Sequence, residues 1–271
     1  ACNKGEWKKF EKALRMLYPA KKQKRRLPVV KFLFLILLLC AETANSQTLS
    51  DVDWETATPE QIQKLIDGGA SVNDDLLLVA APKNSNSAVI EALIKAKADV
   101  NARDVFGYTP LMFAAYDNSN PTVIEALIKA KADVNARNKD GDTPLMFAAM
   151  RNSNFVVIEA LIKAKADVNA RDKEGFTPLM FAAMRNSNSA VTDALIKAKA
   201  DINARTGSGT TPLIFAAGFN SNPAVVEALL KAKADVNARD KAGKTAFDYA
   251  EENPKIKGTP VYWKLNDLMY K

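Results

Sequence analysis

The stretch TPLMFAAMRNSN stands at residues 177–188, and the same twelve letters stand at 143–154, 34 residues earlier. Its first seven letters recur at 109–115 and, as TPLIFAA, at 211–217. Self-similarity at a fixed period of this size is typical of stacked repeats, in which no single unit can bury both of its apolar faces alone. The repetition therefore predicts a stack of similar units whose contacts are made between neighbours.

Each unit is predicted to form two short helices joined by polar turns. A second phrase, ADVNAR (once ADINAR), precedes a glycine-containing turn, and its asparagine recurs every 34 residues, at positions 101, 135, 169, 203 and 237. The Thr-Pro pair that follows is a helix start, because threonine caps free backbone amides and proline fits the first helical position. After NSN comes a second helix such as VVIEALIKA, whose apolar residues fall three and four apart on one face.

These phrases resemble the ankyrin repeat, through TPLMFAA against the family's T-P-L-H-x-A-A and ADVNARDKEG against its A-D-V-N-x-x-D-x-x-G. The resemblance runs from about residue 58 to residue 271. It implies an all-α solenoid of stacked helix-turn-helix units with β-hairpin-like fingers, about six to seven repeats including caps. It also implies a non-enzymatic module that binds a protein partner, and we expect that module to be a monomer.

Three departures from the family pattern concern the repeated frame. NSN lengthens the turn between the helices by one residue relative to the family's usual unit of about 33 residues. The family's histidine is replaced by Met112, Met146, Met180 or Ile214, which favours apolar packing over polar bonds. The glycine after the second helix is replaced by lysine, at 97, 131, 165, 199 and 233. If that position is left-handed, each lysine costs about 1 kcal/mol relative to glycine. Two explanations of the repeated lysine remain. Duplication of the repeat copied one tolerated change, or the lysines form a functional row of basic side chains.

The spacing of the phrases sets the expected domain boundaries. We expect a basic leader at 1–46 and a repeat domain at 47–271. The repeat domain divides into an N-terminal cap half-repeat at 58–73, a shortened repeat at 74–101, full repeats at 102–135, 136–169, 170–203 and 204–237, and a C-terminal cap at 238–271. In the first cap, Thr58 and Gln61 are predicted to form a capping box. The shortened repeat is expected to lack its finger, and Trp263 is expected to pack against the repeat before it.

The first 46 residues combine a basic run at 21–31 with an apolar run of ten residues at 32–41. Ten residues are too few to cross a bilayer as a helix, which needs about 20. The pattern is typical of a secretory signal peptide instead, with cleavage expected between Ser46 and Gln47. We therefore expect a bacterial-type exported protein, periplasmic or secreted. The alternative is an uncleaved leader that anchors the repeats at a membrane, and only then is a membrane an expected partner.

The distribution of charge argues against nucleic acid as a partner. Residues 1–46 hold 11 Lys and Arg against 3 Asp and Glu, a net charge of +8. Residues 47–271 hold 27 against 28, a net charge of −1. A domain that binds nucleic acid needs a basic face of its own, so we expect no nucleic-acid binding by the repeats.

The sequence also argues against catalysis and metal binding in the repeats. The chain contains no histidine, and both cysteines, Cys2 and Cys40, lie in the leader. These facts exclude a Cys/His zinc site and a Ser-His or Cys-His nucleophile pair from the repeats. The aspartates of the ADVNAR phrase recur with the frame, which marks them as turn formers, at 99, 133, 167, 201 and 235. We therefore expect no enzyme activity, no catalytic residue, no metal site and no cofactor.

The resemblance places the binding surface on the finger tips and first helices, which line a concave face in ankyrin domains. Most differences between the copies fall at these places, which suggests local binding chemistry, and drift at exposed positions would give the same pattern. The predicted partner-binding residues are Val105, Phe106, Tyr108, Tyr116, Lys139, Asp140, Asp142, Arg151, Lys173, Glu174, Phe176, Arg185, Ser208, Thr210 and Phe219. Phe106 and Tyr108 are expected to be exposed anchors. The first-helix phenylalanines, at 113, 147, 181 and 215, fit either binding or packing between repeats.

Overall fold

The computed structural model describes residues 48–73 and 75–270. Within these ranges the chain is helical, without strands, and a short 3-10 helix, Leu49–Asp51, precedes thirteen α-helices. These are α1 (Pro59–Asp67), α2 (Leu76–Lys83), α3 (Ser87–Lys95), α4 (Pro110–Asp117), α5 (Pro121–Lys129), α6 (Pro144–Arg151), α7 (Phe155–Lys163), α8 (Pro178–Arg185), α9 (Ser189–Lys197), α10 (Pro212–Phe219), α11 (Pro223–Lys231), α12 (Ala246–Glu252) and α13 (Pro260–Met269). None of these helices is both long and apolar enough to cross a bilayer. The all-α solenoid is confirmed, whereas the predicted leader lies outside the described residues.

Threonine side chains cap six helices in the way that the sequence predicts, namely α1, α4, α8, α10, α12 and α13. In α1, the Thr58 hydroxyl accepts a hydrogen bond from the Gln61 amide at 3.3 Å, and the Gln61 side chain accepts one from the Thr58 amide at 2.9 Å. This reciprocal pair confirms the capping box. In α4, Thr109 accepts from the amide of Met112 at 3.3 Å, and the Met112 side chain is fully buried. The methionine in the place of the family's histidine therefore packs in the core.

The helices stack in two rows. The first helices of the units, α2, α4, α6, α8, α10 and α12, contact one another in sequence, and the second helices form a parallel row from α1 to α13. The first row is the tighter one, because it is lined by fully buried alanines such as Ala148 and Ala149. Larger side chains such as Val157 and Ile158 separate the second helices. The close approach of the first helices agrees with the concave face on which the resemblance places them. We call the surface formed by finger tips and first helices the inner face.

The NSN turn connects each repeat to the one before it. In the third copy, the Asn152 side chain is buried and donates hydrogen bonds to the carbonyls of Ala115 and Asn118, at 3.0 and 2.9 Å. Asn154 caps α7 by accepting from the Val156 amide at 3.0 Å. The same pair of bonds to the preceding repeat is made by the equivalent buried asparagines at 118, 186, 220 and 253, and Asn84 donates to the Ala57 carbonyl. The extra residue of this repeat thus belongs to a ladder of buried amides.

Neighbouring fingers are joined by backbone hydrogen bonds. The Lys139 amide donates to the Phe106 carbonyl at 2.8 Å, and the Lys173 amide donates to the Asp140 carbonyl at 2.9 Å. Below the tips, the Arg137 guanidinium donates to the carbonyl of the equivalent arginine one repeat later at 2.6 Å. The fingers are therefore tight turns held to one another. In the shortened repeat only two residues separate Asn73 from α2, too few to form a finger.

The lysine after each second helix adopts a left-handed backbone. The φ angles are 75°, 72°, 66°, 65° and 64° at Lys97, Lys131, Lys165, Lys199 and Lys233. Side chains other than glycine disfavour this region, since Cβ approaches the following carbonyl oxygen. The expected destabilisation of the backbone relative to glycine therefore applies at all five lysines.

The two ends of the stack are closed in different ways. At the N-terminal end, Leu49 and Trp54 are buried, with exposed fractions of 1% and 5%, and cover the first helices. At the C-terminal end, Tyr262 is buried and packs on Phe247 with ring centroids 5.1 Å apart. Trp263 is 57% exposed and meets only the neighbouring ring, that of Tyr262, edge-on at 5.0 Å. The predicted packing of Trp263 is wrong, because this residue lies on the outer side of α13.

Candidate partner-binding surface

Residues 34 positions apart form four rows on the inner face, because each full repeat contributes one residue to each row. From the fingers to the helix ends we call them the finger, ring, floor and edge rows. The finger row is Tyr108, Asp142, Phe176 and Thr210, and the ring row is Phe113, Phe147, Phe181 and Phe215. The floor row is Tyr116, Met150, Met184 and Gly218, and the edge row is Asp117, Arg151, Arg185 and Phe219.

Tyr108 lies in an aromatic cluster. Its ring centroid is 5.3 Å from that of Phe113 and 5.3 Å from that of Phe147. Tyr116 meets Phe147 edge-on at 6.0 Å. Tyr108 is half-buried, and burial raises the pKa of its hydroxyl to about 12. The expectation that Tyr108 is an exposed tip residue is wrong, because the finger folds back and turns the residue before Thr-Pro toward the first helices.

Most of the ring row packs between repeats. The exposed fractions of Phe147, Phe181 and Phe215 are only 8%, 8% and 7%. Phe176 of the finger row is half-buried and packs on Phe181 and Phe215, with centroid distances of 5.4 and 5.2 Å. Thr210 of the same row is buried, with 8% exposed. The packing interpretation of the phenylalanines therefore holds for these three rings, and Phe176 and Thr210 offer little surface to a partner.

Exposed apolar side chains of the inner face lie near the two ends of the full repeats. Val105 and Phe106 are 60% and 39% exposed on the first finger, and Phe219 is 59% exposed at the end of α10. Tyr116 is half-buried between them. The other predicted binding residues are exposed and charged or polar, namely Lys139, Asp140, Arg151, Lys173, Glu174, Arg185 and Ser208. The inner face is thus apolar near its ends and charged in its middle.

Asp142 stands in the finger row where the neighbouring fingers carry aromatic rings. Its carboxylate accepts a hydrogen bond from the Asn138 side chain at 3.0 Å. Burial raises the pKa of Asp142 to about 6, and the negative charges of Asp172, Asp140 and Glu174 act in the same direction. Within the described residues, Asp142 takes part in no ion pair.

The edge row contains two arginines, Arg151 and Arg185. The Arg151 guanidinium lies 5.0 Å above the ring of Tyr116 and donates to its hydroxyl at 3.3 Å. Arg151 also pairs with Asp117, at 3.7 Å between nitrogen and oxygen. Arg185, one repeat later, is exposed. The fingers, where acids outnumber lysines, lie beyond the ring row on one side of the floor row, and the arginines of the helix ends lie on the other side.

The side chains of the inner face are suited to non-covalent contacts with a partner. In the part of the chain that the structure describes, no group of three or more His, Cys, Asp or Glu side chains is placed to hold a metal ion. The inner face offers rings, methionines, hydrogen-bond donors and charges in a curved array. Such an array can desolvate and position a protein segment.

One exposed apolar pair was missed from the sequence. Phe155 and Val156, at the start of α7, are 39% and 37% exposed and lie outside the inner face. A comparison of aligned copies contains the signal, since the other repeats have serine or proline followed by alanine or threonine at these two positions. The buried asparagine ladder was also missed. The sequence predicts only a lengthened turn at NSN, because hydrogen bonds between repeats have no local sequence pattern.

Comparison with known families agrees with this architecture. A family model described as ankyrin repeats (3 copies) matches residues 55–138 and 111–206, and one described as ankyrin repeats (many copies) matches residues 195–250. Together these matches cover well over half of the chain. The protein therefore belongs to the ankyrin-repeat family. A search of curated proteins finds no match.

Proposed function

We propose that this protein is an exported, non-enzymatic binding module that holds a protein partner on its inner face. Ankyrin repeats form a protein-protein interaction fold, and at this level the chain is an interaction module. The inner face as the binding surface, the export and the lack of catalysis are our proposals. A partner made of nucleic acid is not expected, because residues 47–271 carry a net charge of −1.

The observation that carries the proposal is the contrast between a constant frame and variable inner-face side chains. The caps, the buried asparagines and the ADVNAR turns repeat almost unchanged, whereas the edge row reads Asp, Arg, Arg, Phe. Val105, Phe106 and Phe219 expose apolar surface on this face. Apolar and aromatic side chains that are exposed on a rigid scaffold contribute binding energy when a partner covers them.

The location of the binding surface is tested by matched substitutions. Partners are first recovered with the full chain and identified by mass spectrometry. Val105→Asp is expected to weaken the binding of a recovered partner at least tenfold, since a charge would replace an exposed apolar contact. Val156→Asp is the control, because it makes the same change at an exposed valine outside the inner face. Equal loss from both substitutions, or loss from the control alone, would contradict the proposal.

The export part of the proposal rests on the composition of residues 21–46, which has the order of charges and apolar residues of a signal peptide. The test is the N-terminus of the mature chain, which is expected at Gln47. An intact N-terminus on a membrane-bound chain would favour the alternative, a scaffold anchored by its uncleaved leader. A full-length chain free in the cytoplasm would contradict both.

A further inference from the structure

The inner face has a middle section whose two borders differ in charge. Met150 and Met184 of the floor row are half-buried, so each presents part of its side chain at the surface. Methionine adapts its shape to different apolar partners and is common at binding surfaces. Across the ring row from this floor, the second and third fingers carry four acidic side chains, Asp140, Asp142, Asp172 and Glu174, against two lysines, Lys139 and Lys173, whereas the helix ends on the other side carry arginines. The floor is thus an apolar strip with an acidic border and a basic border.

The acidic border contains Asp142, a half-buried carboxylate that makes no ion pair among the described residues. The charged groups that contribute most to the raised pKa of Asp142 are acidic, namely Asp140, Asp172 and Glu174, and Tyr108 also lies close. Among the described residues, the Asp142 carboxylate accepts a hydrogen bond from the Asn138 side chain. The nearby Lys139 interacts with Asp104 of the preceding finger. A partly desolvated carboxylate without a counter-ion is unfavourable, and a cation placed beside it would relieve that cost.

The basic border is better satisfied, and this difference selects the partner. Arg151 already has Asp117 and the ring of Tyr116. Arg185 is exposed, so water solvates its guanidinium. Neither arginine therefore needs a partner's acid to the extent that Asp142 needs a cation. Charge complementarity on this face favours a partner with a basic side chain on the finger side.

We infer that the middle of the inner face binds a protein segment in which an apolar side chain, seated on Met150 and Met184, is flanked by a lysine or arginine that pairs with Asp142. The inference rests on the proposed function, because it names the partner chemistry of the same surface. The apolar contact supplies burial, and the ion pair supplies orientation and selectivity against acidic segments.

The experiment uses the full chain and a phage-displayed library of random dodecapeptides. Peptides selected on the chain are expected to contain lysine or arginine next to apolar residues more often than the unselected library. A selected peptide is then synthesised and its affinity is measured by fluorescence anisotropy. Asp142→Asn is expected to weaken its binding at least tenfold, because the buried charge pair is lost. Asp193→Asn, the same substitution at an exposed aspartate of α9, is expected to change it less than twofold.

The outcomes separate this inference from the proposed function. Selected peptides that lack basic residues, or that bind Asp142→Asn unchanged, but lose binding when Met184→Lys alters the floor, would overturn the inference and leave the inner face as the binding surface. Peptides that bind regardless of Met184→Lys, or a selection that enriches none, would count against both. Misfolding does not confuse the result, since Asp142→Asn removes a destabilising charge and circular dichroism checks the fold of each variant.

Discussion

At the scale of single residues, the frame contains side chains that act against its own stability. Lys165 has a φ of 66°, and four equivalent lysines share this conformation. Thr192 is fully buried in α9, and among the described residues its hydroxyl has no hydrogen-bond partner. The equivalent positions carry isoleucine or valine, at 90, 124, 158 and 226. We therefore expect that replacing either kind of residue increases the free energy of unfolding, although most mutations in a core or a turn decrease it.

Replacing Lys165 by glycine is expected to stabilise the protein by about 1 kcal/mol, because glycine adopts the left-handed region without a steric penalty. Lys163→Gly, two residues earlier at the end of α7, is the control and should destabilise by up to about 1 kcal/mol. Urea denaturation of both variants measures the free energy of unfolding. A loss of stability in Lys165→Gly would mean that the lysine side chains make contacts worth more than the backbone strain.

Replacing Thr192 by valine is expected to stabilise the protein by about 1 kcal/mol, because a methyl group of similar shape replaces an unpaired buried hydroxyl. The control is Thr177→Val, which removes the cap whose hydroxyl accepts from the Met180 amide at 3.4 Å, and should cost about 1 kcal/mol. Thermal denaturation distinguishes the two signs. If Thr192→Val is destabilising, the hydroxyl has a partner such as a buried water.

At the scale of elements, the turns and fingers of one repeat are held by bonds to its neighbours. The Asn152 side chain accepts a hydrogen bond from the Asn154 amide at 3.0 Å and donates hydrogen bonds to two carbonyls of the preceding repeat. The second finger contains an unfavourable group instead, because Asp142 is partly buried and lies near other acids. The turn thus stabilises the contact between repeats, whereas the charged Asp142 of the finger destabilises the folded chain at neutral pH.

Asn152→Ala is expected to destabilise the protein by about 2–4 kcal/mol. The substitution removes two donors and leaves the buried carbonyls of Ala115 and Asn118 without their partner. The control is Ser153→Ala in the same turn, an exposed position where a change within about 0.5 kcal/mol is expected. Urea denaturation measures both. Similar small effects for the two variants would show that the ladder is not a source of stability.

The pH dependence of stability should carry the signature of Asp142. Its pKa is raised from 3.8 to about 6 in the folded chain, so between these values the folded state binds more protons than the unfolded state. Its contribution to stability therefore falls as pH rises through this window, and burial raises the pKa of Asp104, Asp117 and Asp172 in the same direction.

The corresponding variant is Asp142→Asn, which is expected to exceed the wild type in stability by roughly 1–3 kcal/mol at pH 7 and to approach it near pH 4. Denaturation curves across that range provide the measurement. Asp193→Asn, at an exposed site, is the control and should change stability by less than about 0.5 kcal/mol at pH 7. A stability difference for Asp142→Asn that grows toward low pH would contradict the assignment.

At the scale of the whole molecule, a stack of repeats has a continuous core whose contacts lie between neighbours, so its ends need separate treatment. The N-terminal end is covered by Leu49 and Trp54, whereas the outer side of α13 leaves Trp263, Leu268 and Tyr270 exposed. The two ends therefore contribute differently to stability, although each carries a tryptophan.

The two tryptophans allow a direct comparison of the ends. Trp54→Ala is expected to cost about 3–5 kcal/mol, since it empties a buried site over the first helices. Trp263→Ala removes a 57% exposed ring and should change stability by less than about 1 kcal/mol. Thermal unfolding followed by circular dichroism measures both. A large loss from Trp263→Ala would mean that its ring covers the end of the stack.

Much of the architecture could be predicted because its signals are local and repeated. Thr58 and Gln61 lie three residues apart, so the capping box is visible in a single helical turn. The binding surface was harder to predict from the sequence. Tyr108 and Phe176 were placed on the surface by their position in a turn, but their exposure depends on how far the finger folds back over rings of another repeat.

The amino-acid sequence by itself determined the period, the helix starts, the all-α class and the family, because each depends on neighbouring residues or on exact repetition. Only the tertiary structure decided that the NSN asparagines bridge repeats and which aromatic side chains are core. It also decided that Asp142 is a partly buried acid without a counter-ion and that Trp54, not Trp263, seals an end. These properties arise between residues about 34 or more positions apart, where packing and desolvation depend on the whole stack.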